Sequence, residues 1–219
     1  MVTLEIPHKE VVADLTNGFY LKLDTGRRKE MAEQQVFLLD VDGVLANFIQ
    51  GIIDSHGWVM NHDQYDSWNY HRSIAISDEE FWECTYAENW WYYLNAYPWA
   101  QEIVGKLEAI GRVVFCTSPN HDASCPSQKV MWLRKHGFLG PQATNFQIGP
   151  EKELNARSGA ILIDDSDANV KKYRDAGGQA FLFAQPWNAK SAVHTCNMAD
   201  LNQFLESLEN PVGLATASN

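Results

Sequence analysis

Two carboxylates, Asp40 and Asp42, stand one residue apart directly after the apolar run Val36-Phe37-Leu38-Leu39. Crowded like charges at the end of a buried strand repel, so stability alone does not account for the pair. A cation resolves the conflict. A second acidic pair, Asp164 and Asp165, follows Ala160-Ile161-Leu162-Ile163 and brings more of the hard oxygen ligands that Mg²⁺ prefers. Thr117 and Ser118 follow Val113-Val114-Phe115-Cys116 and add hydroxyl donors. Together these groups suit an anion bridged to Mg²⁺, with donors on one side and metal on the other.

The elements that must position these residues can be read from the same pattern. Each apolar run is short and uninterrupted, as in a strand buried on both faces of a parallel sheet. Ala180-Phe181-Leu182-Phe183 is a further strand of this type, and Asn145-Phe146-Gln147-Ile148 is a weaker fifth. Helical spacing is expected between them. Ala100 to Ile110 carries Ile103, Val104, Leu107 and Ile110, with Gly111 where a C-cap would sit. Pro126 to His136 opens on proline and is followed by Gly137, Asp167 to Ala176 ends in Gly177-Gly178, and Asp200 to Leu208 closes the pattern. Strands alternating with helices of about 10 residues predict βαβ units and a doubly wound, Rossmann-like parallel sheet. In such sheets ligands bind beyond the carboxyl ends of the strands, where every polar cluster named above falls.

The segment from Phe48 to Trp99 breaks this rhythm. It holds no strand-like run, yet 14 of the 26 aromatic residues and six of the eight tryptophans fall in it. An insert of that length after the first strand predicts a small helical cap over the strand ends, most of its rings forming its own core. The expected organisation is an N-terminal extension at 1–34, a core domain at 35–47 and 100–210, the cap at 48–99 and a tail at 211–219. The extension reads as a hairpin or a helix and has no assignable task.

Bulk composition narrows the partners. With 45% hydrophobic and 21% charged residues, the chain can bury a real core. A net charge of −11 leaves no excess of Lys and Arg to neutralise a long nucleic-acid backbone. A small phosphorylated ligand remains compatible, because a bound divalent cation reverses the local sign of the site. No run of roughly 18 apolar residues is present and the N-terminus lacks the pattern of a signal peptide, so neither membrane nor secretion is expected. Cys84, Cys116, Cys125 and Cys196 form no CxxC pair, and the expectation is a reduced, cytoplasmic chain. His121 with Cys125, and His194 with Cys196, match no structural zinc spacing and read as ordinary loop residues.

Three of these segments, in order, resemble a known superfamily. Asp40-Val41-Asp42-Gly43-Val44-Leu45 resembles motif I of the haloacid dehalogenase (HAD) phosphatases, Phe115-Cys116-Thr117-Ser118-Pro119 motif II, and Leu162-Ile163-Asp164-Asp165 motif IV. With Cys125-Pro126-x-x-Lys129-x-x-Trp132 added, the chain resembles the 5′(3′)-deoxyribonucleotidases, the likeness being best over about residues 36–58 and 85–166 and poor at both termini. The resemblance implies a HAD-like α/β fold and hydrolysis of a nucleoside monophosphate through a covalent aspartyl-phosphate.

Carried over by position, Asp40 attacks phosphorus, while Asp42 protonates the leaving oxygen and then activates water. Thr117 and Ser118 bind phosphoryl oxygens. Asp40, the backbone carbonyl of Asp42, and Asp164 or Asp165 hold Mg²⁺, with the order of the last two left open. The motif III lysine has two candidates, Lys129 in the helix after motif II and Lys152, and the resemblance favours Lys152, which precedes the fourth strand by the interval the family places there. Lys129 has the plainer reading of a helical lysine that is solvated or distant from the phosphate. For the base, the resemblance points to Phe48, to Trp68 and Asn69, and to a ring of the run Asn89-Trp90-Trp91-Tyr92-Tyr93, taken as Trp91. Gln185-Pro186-Trp187-Asn188 could edge the site but reads more simply as a turn.

The partner expected is a small nucleotide. The resemblance also allows a homodimer, which is common among phosphatases with such a cap. The alternatives are a HAD phosphatase for another phosphometabolite or a nucleic-acid 3′-phosphate end, and a binding protein that kept the fold and lost the chemistry.

Overall fold

The structure, a computed structural model, describes residues 5–6, 9–10, 35–188 and 197–209. The chain divides after Gln34 into two units. In the first, β1 (Glu5–Ile6) pairs antiparallel with β2 (Lys9–Glu10). The remainder of the predicted extension, the predicted tail 211–219, and His194 and Cys196 lie outside the described residues.

In the second unit, β3 (Val36–Leu39), β4 (Arg112–Thr117), β5 (Phe146–Ile148), β6 (Ala160–Asp164) and β7 (Gln179–Leu182) form one parallel sheet. The strand order is β5-β4-β3-β6-β7. All five expected strands are present, four of them with a boundary moved by a residue or two. Strand β3 is central. The chain leaves it towards β4 and β5 and later returns to its other side as β6 and β7, so the order reverses beside β3. Such a switch point opens a crevice at the carboxyl ends of the strands.

Alternate residues of the sheet face opposite cores, as a strand period of two requires. Phe37, Leu39, Phe115, Ile161, Ile163 and Phe181 join the larger core, whereas Leu38, Val114, Cys116, Leu162 and Leu182 join a smaller one. The larger core takes Ile103, Val104 and Leu107 of α5 (Ala100–Ile110), Trp132 and Leu133 of α6 (Cys125–Lys135), and Leu201 and Leu205 of α8 (Asn197–Glu209). The smaller one takes Val170 and Tyr173 of α7 (Asp167–Asp175). Helix α8 begins three residues before the expected Asp200.

Residues 48–99 contain helices and turns, with α1 (Phe48–His56), α2 (Tyr70–Ser73), α3 (Asp78–Glu83) and α4 (Trp90–Tyr93) as the α-helical pieces. The Asn47 side chain caps α1 by accepting from Gln50 N, and Gly57 ends it in the left-handed region at φ 65°. The segment leaves and returns at one place: Asn47 N donates to Asn95 O and Tyr97 N to Leu45 O, each at 2.8 Å.

Helix α4 is too short to satisfy its own backbone, and α6 does it instead. Trp91 N donates to Gln128 Oε1 at 3.0 Å, Trp132 Nε1 donates to Leu94 O at 2.8 Å, and Lys135 Nζ donates to Tyr92 O at 3.2 Å. Positions 128, 132 and 135 share one face of α6.

Gly111 follows α5 as expected, but its φ of −169° is extended backbone that any residue adopts. What demands glycine there is closeness, since an added Cβ would lie 2.5 Å from Gln35 O and 2.8 Å from the Phe37 ring. Gly137, after α6, has open space but a φ of +78°. Gly111→Ala should therefore lower the unfolding free energy by about 1–3 kcal/mol through overpacking at the base of β3. Gly137→Ala should cost only about 1 kcal/mol. Chemical denaturation of both variants checks this ranking, and equal effects would contradict it.

Candidate active site

Parallel register sets the carboxylates side by side. Leu39 pairs with Ile163 and with Phe115, so Asp40, one residue on, lies level with Asp164 on one flank and Cys116 on the other. Asp40 N donates to Ile163 O at 2.9 Å, and Val41 N donates to Asp40 Oδ1 at 2.8 Å. Lys152, on the 3₁₀ turn Lys152–Asn155, reaches between the strands to Asp40 Oδ1 at 2.7 Å and Asp164 Oδ2 at 2.6 Å. Its side chain is 1% exposed. Asp164 is used on both oxygens: Ser166 N donates to Oδ1 at 2.8 Å, and Asn169 Nδ2 lies 3.1–3.2 Å from both.

Asp165 stands apart from the lysine. Trp187 Nε1 donates to its Oδ2 at 2.7 Å, and Asn188 Nδ2 donates to its backbone oxygen at 2.9 Å. Gly43, at φ +78°, passes so close that any Cβ would overlap the Asp165 carboxylate. Gln185 Nε2 donates to Gly43 O. The segment 185–188 is the expected turn, with Asn188 N donating to Gln185 O at 3.2 Å, but Gln185, Trp187 and Asn188 are buried and brace motifs I and IV.

Ligand atoms of Asp40, Asp164 and Asp165 lie within 4.8 Å of one another, and all three residues are buried. Three carboxylates against one lysine leave the cluster short of positive charge. Burial, with Asp164 and Asp42 adding repulsion, pushes the Asp40 carboxyl up to about 7 despite the pull of Lys152. Burial, then Asp40 and Asp164, hold Asp165 well above the carboxylate range. Burial alone would lower Lys152, but Asp40 and Asp164 outweigh it and hold the ammonium above its ordinary value. An all-oxygen, charge-deficient pocket of this kind fits a hard divalent cation such as Mg²⁺.

Asp42 occupies a second charge centre. Its Oδ2 receives Lys129 Nζ, and Thr117 Oγ1 lies 3.3 Å from the same oxygen. Lys129 also donates to Thr117 Oγ1 at 3.0 Å and to Ser118 O at 2.6 Å, and sits 4.5 Å above the centroid of the Trp91 ring. At 3% exposure it is no solvated lysine, which corrects the plainer reading of that residue. Asp42 Oδ1 is buried without a hydrogen-bond partner.

A cavity of about 420 Å³ opens over these groups, within the rough 300–1,000 Å³ range of small-molecule sites. Asp40, Asp42, Ser118, Lys129, Lys152 and Asp165 line it. So do four aromatic residues, Phe48, Trp68, Trp82 and Trp91. Phe48 is the hub, with ring centroids 5.5 Å from Trp91 and 6.3 Å from Trp68, both near parallel, and 5.7 Å from Trp82. Thr117 is buried beside Asp42 and does not line the cavity, and Asp164 lies beneath it. Asn69 is exposed at the start of α2 and also does not line it. Sequence reasoning missed Asn120, Asn169 and Trp82, which do line it and follow no motif of their own.

Comparison with known proteins places this geometry. A family model described as 5′ nucleotidase, deoxy (pyrimidine), cytosolic type C protein (NT5C) matches residues 34–208. The chain belongs to this family. It is a HAD-like hydrolase, a phosphoric monoester hydrolase of the 5′-nucleotidase type. Comparison with curated protein sequences finds no match. Among solved structures, a haloacid dehalogenase-like hydrolase of Streptococcus pneumoniae is 13% identical with a TM-score of 0.50, covering 78% of this chain and 98% of that one. A second S. pneumoniae hydrolase is 14% identical with a TM-score of 0.50, covering 79% and 98%. Protein Tyrosine Kinase A of Mycobacterium tuberculosis is 14% identical with a TM-score of 0.52, covering 78% and 98%. At such identities the likeness concerns the fold. Among the described residues no helix is long and apolar enough to cross a membrane.

The charge shortage gives the nucleotidase a pH signature. A carboxyl with a native value of about 7 and an ordinary value of 3.8 binds more protons folded than unfolded across that interval. Stability of the metal-free protein should therefore fall as pH rises from about 4 to 7. Added Mg²⁺ should raise the thermal midpoint more at pH 7 than at pH 5. Calorimetry in EDTA and in Mg²⁺ measures both, and a midpoint indifferent to Mg²⁺ at pH 7 would contradict a cation site.

Proposed function

We propose that the chain is a Mg²⁺-dependent phosphatase of pyrimidine deoxynucleoside 5′-monophosphates that works through an aspartyl-phosphate on Asp40. The supporting observation is one cavity whose floor carries Asp40, Lys152 and Asp165 and whose lining includes four aromatic rings. The floor suits a phosphoryl group and the rings suit a flat base, each stack contributing about 1–3 kcal/mol. A sugar phosphate would leave those rings unused. The family description supplies the pyrimidine deoxynucleotide, and it also supports a cytosolic location.

Asp40, the backbone carbonyl of Asp42, and Asp165 would hold Mg²⁺. Asp165 is the closer of the motif IV pair in this reading, because both oxygens of Asp164 already serve Lys152, Ser166 and Asn169. The bound cation would neutralise charge on the transferring phosphoryl group. Asp40 attacks phosphorus and the bond to the leaving nucleoside oxygen breaks, with the proton for that oxygen coming from Asp42. Its Oδ1, buried and unpartnered while Lys129 and Thr117 hold Oδ2, supports a part for this carboxyl in the transfer. Water then attacks the phosphoryl-enzyme, Asp42 takes a proton from it, and the bond from phosphorus to Asp40 breaks to release phosphate. Lys152 steadies Asp40 throughout, and Lys129 with Ser118 offers positive charge and a hydroxyl to phosphoryl oxygens.

Purified protein with Mg²⁺ should release phosphate from dTMP or dUMP and stop on addition of EDTA. Asp40→Asn should cut kcat by about 10³-fold or more with an unchanged circular dichroism spectrum. Turnover of sugar phosphates but no nucleotide would overturn the substrate, and full activity in Asp40→Asn would overturn the mechanism.

A further inference from the structure

Most buried polar side chains stand around the strand ends; Thr85 and His71 stand apart. Thr85 is accounted for locally, donating to Trp82 O at 2.7 Å and accepting from Asn120 Nδ2 at 2.8 Å. His71 has no place in the chemistry above. Its ring is 4% exposed, stacked 4.3 Å from Phe81, with Nε2 2.9 Å from Asp78 Oδ1 and Nδ1 3.1 Å from Tyr65 Oη. Asp78 is held in turn by Arg72 through Nε at 2.7 Å and Nη2 at 2.5 Å. The Arg72 and His71 bonds keep that carboxyl below its usual range.

The direction of these hydrogen bonds follows from what each group can do. A carboxylate only accepts, so the His71 proton sits on Nε2. With the ring neutral, Nδ1 accepts from the Tyr65 hydroxyl. With the ring charged, Nδ1–H donates to Tyr65 Oη instead. Tyr65 Oη has one more neighbour, Trp68 O at 3.2 Å. The hydroxyl proton is shared with this carbonyl in the first case and given wholly to it in the second. Tyr65 is fully buried, and burial pushes its phenol up to about 12, so it remains a donor. In both states it links the His71–Asp78–Arg72 chain to the backbone of Trp68.

Trp68 is the wall ring that most needs such a tie. It is 47% exposed, whereas Phe48 and Trp91, which line the same cavity, are each 3% exposed. We propose that Tyr65, anchored by His71 and Asp78, is a positioning residue that sets Trp68 over the cavity and thereby sets affinity for the base of the substrate. The consequence for substrate rests on the nucleotidase reading; the placement of Trp68 does not.

Tyr65→Phe keeps the ring and removes only the hydroxyl. It should raise KM for dTMP about 3- to 10-fold, the worth of one hydrogen bond, with kcat within about twofold. KM for deoxyribose 5-phosphate, which has no base, should not move. Adding Tyr65→Phe to Trp68→Ala should change KM no further, because the residue acts through that ring. The Trp68 indole N–H resonance, assigned with Trp68→Phe, should shift or broaden in Tyr65→Phe without any substrate. An unmoved resonance, an unchanged KM for dTMP, or an equal rise for both substrates would overturn the proposal. Absence of nucleotide turnover by the unaltered protein would instead sink the nucleotidase reading, and the resonance would still decide where Trp68 is held.

Discussion

The site depends on one buried ion contact, the ammonium of Lys152 between Asp40 and Asp164. Two carboxylates on neighbouring strands, with a third from Asp165 close by, would repel strongly in a dry interior. An uncompensated buried charge costs several kcal/mol. The lysine makes the arrangement tolerable without making it neutral. The raised carboxyls of Asp40 and Asp165 record what is left over. The remaining deficit is what a divalent cation would answer, so the same imbalance that strains the fold favours binding of a metal.

A second lysine divides the labour. Lys152 serves Asp40, whereas Lys129 serves Asp42 and lies over the Trp91 ring. Helix α6 therefore carries the lysine paired with Asp42 and, on Gln128, Trp132 and Lys135, the groups that fasten α4. The second charge centre and the aromatic roof share one support on this side. On the Trp68 side the support is a polar chain of short reach rather than a helix.

What could be read from sequence was what is local. An apolar run that stops at a polar residue marks a strand end whatever surrounds it, so the positions of Asp40, Asp164 and Thr117 at strand ends are legible in the sequence. Parallel pairing then followed from the rhythm of strands and helices. Lys129 was misread because nothing within a helical turn of it announces burial; α4 packing over it does that, from 38 residues earlier in sequence at Trp91. The turn at 185–188 showed its turn chemistry but not the bracing of Asp165 and Gly43, which is tertiary. In the aromatic-rich insert, composition signalled a wall of rings without saying which ring faces the cavity, and Asn69, which the resemblance assigned to the base, lies on the surface.

The proposed chemistry has Asp40 carry the phosphoryl group. Borohydride quenching during dTMP turnover converts an aspartyl-phosphate to homoserine, which peptide mass spectrometry locates. Homoserine is expected at position 40, dependent on Mg²⁺ and substrate. Homoserine at another aspartate, or none while phosphate is being released, would contradict it.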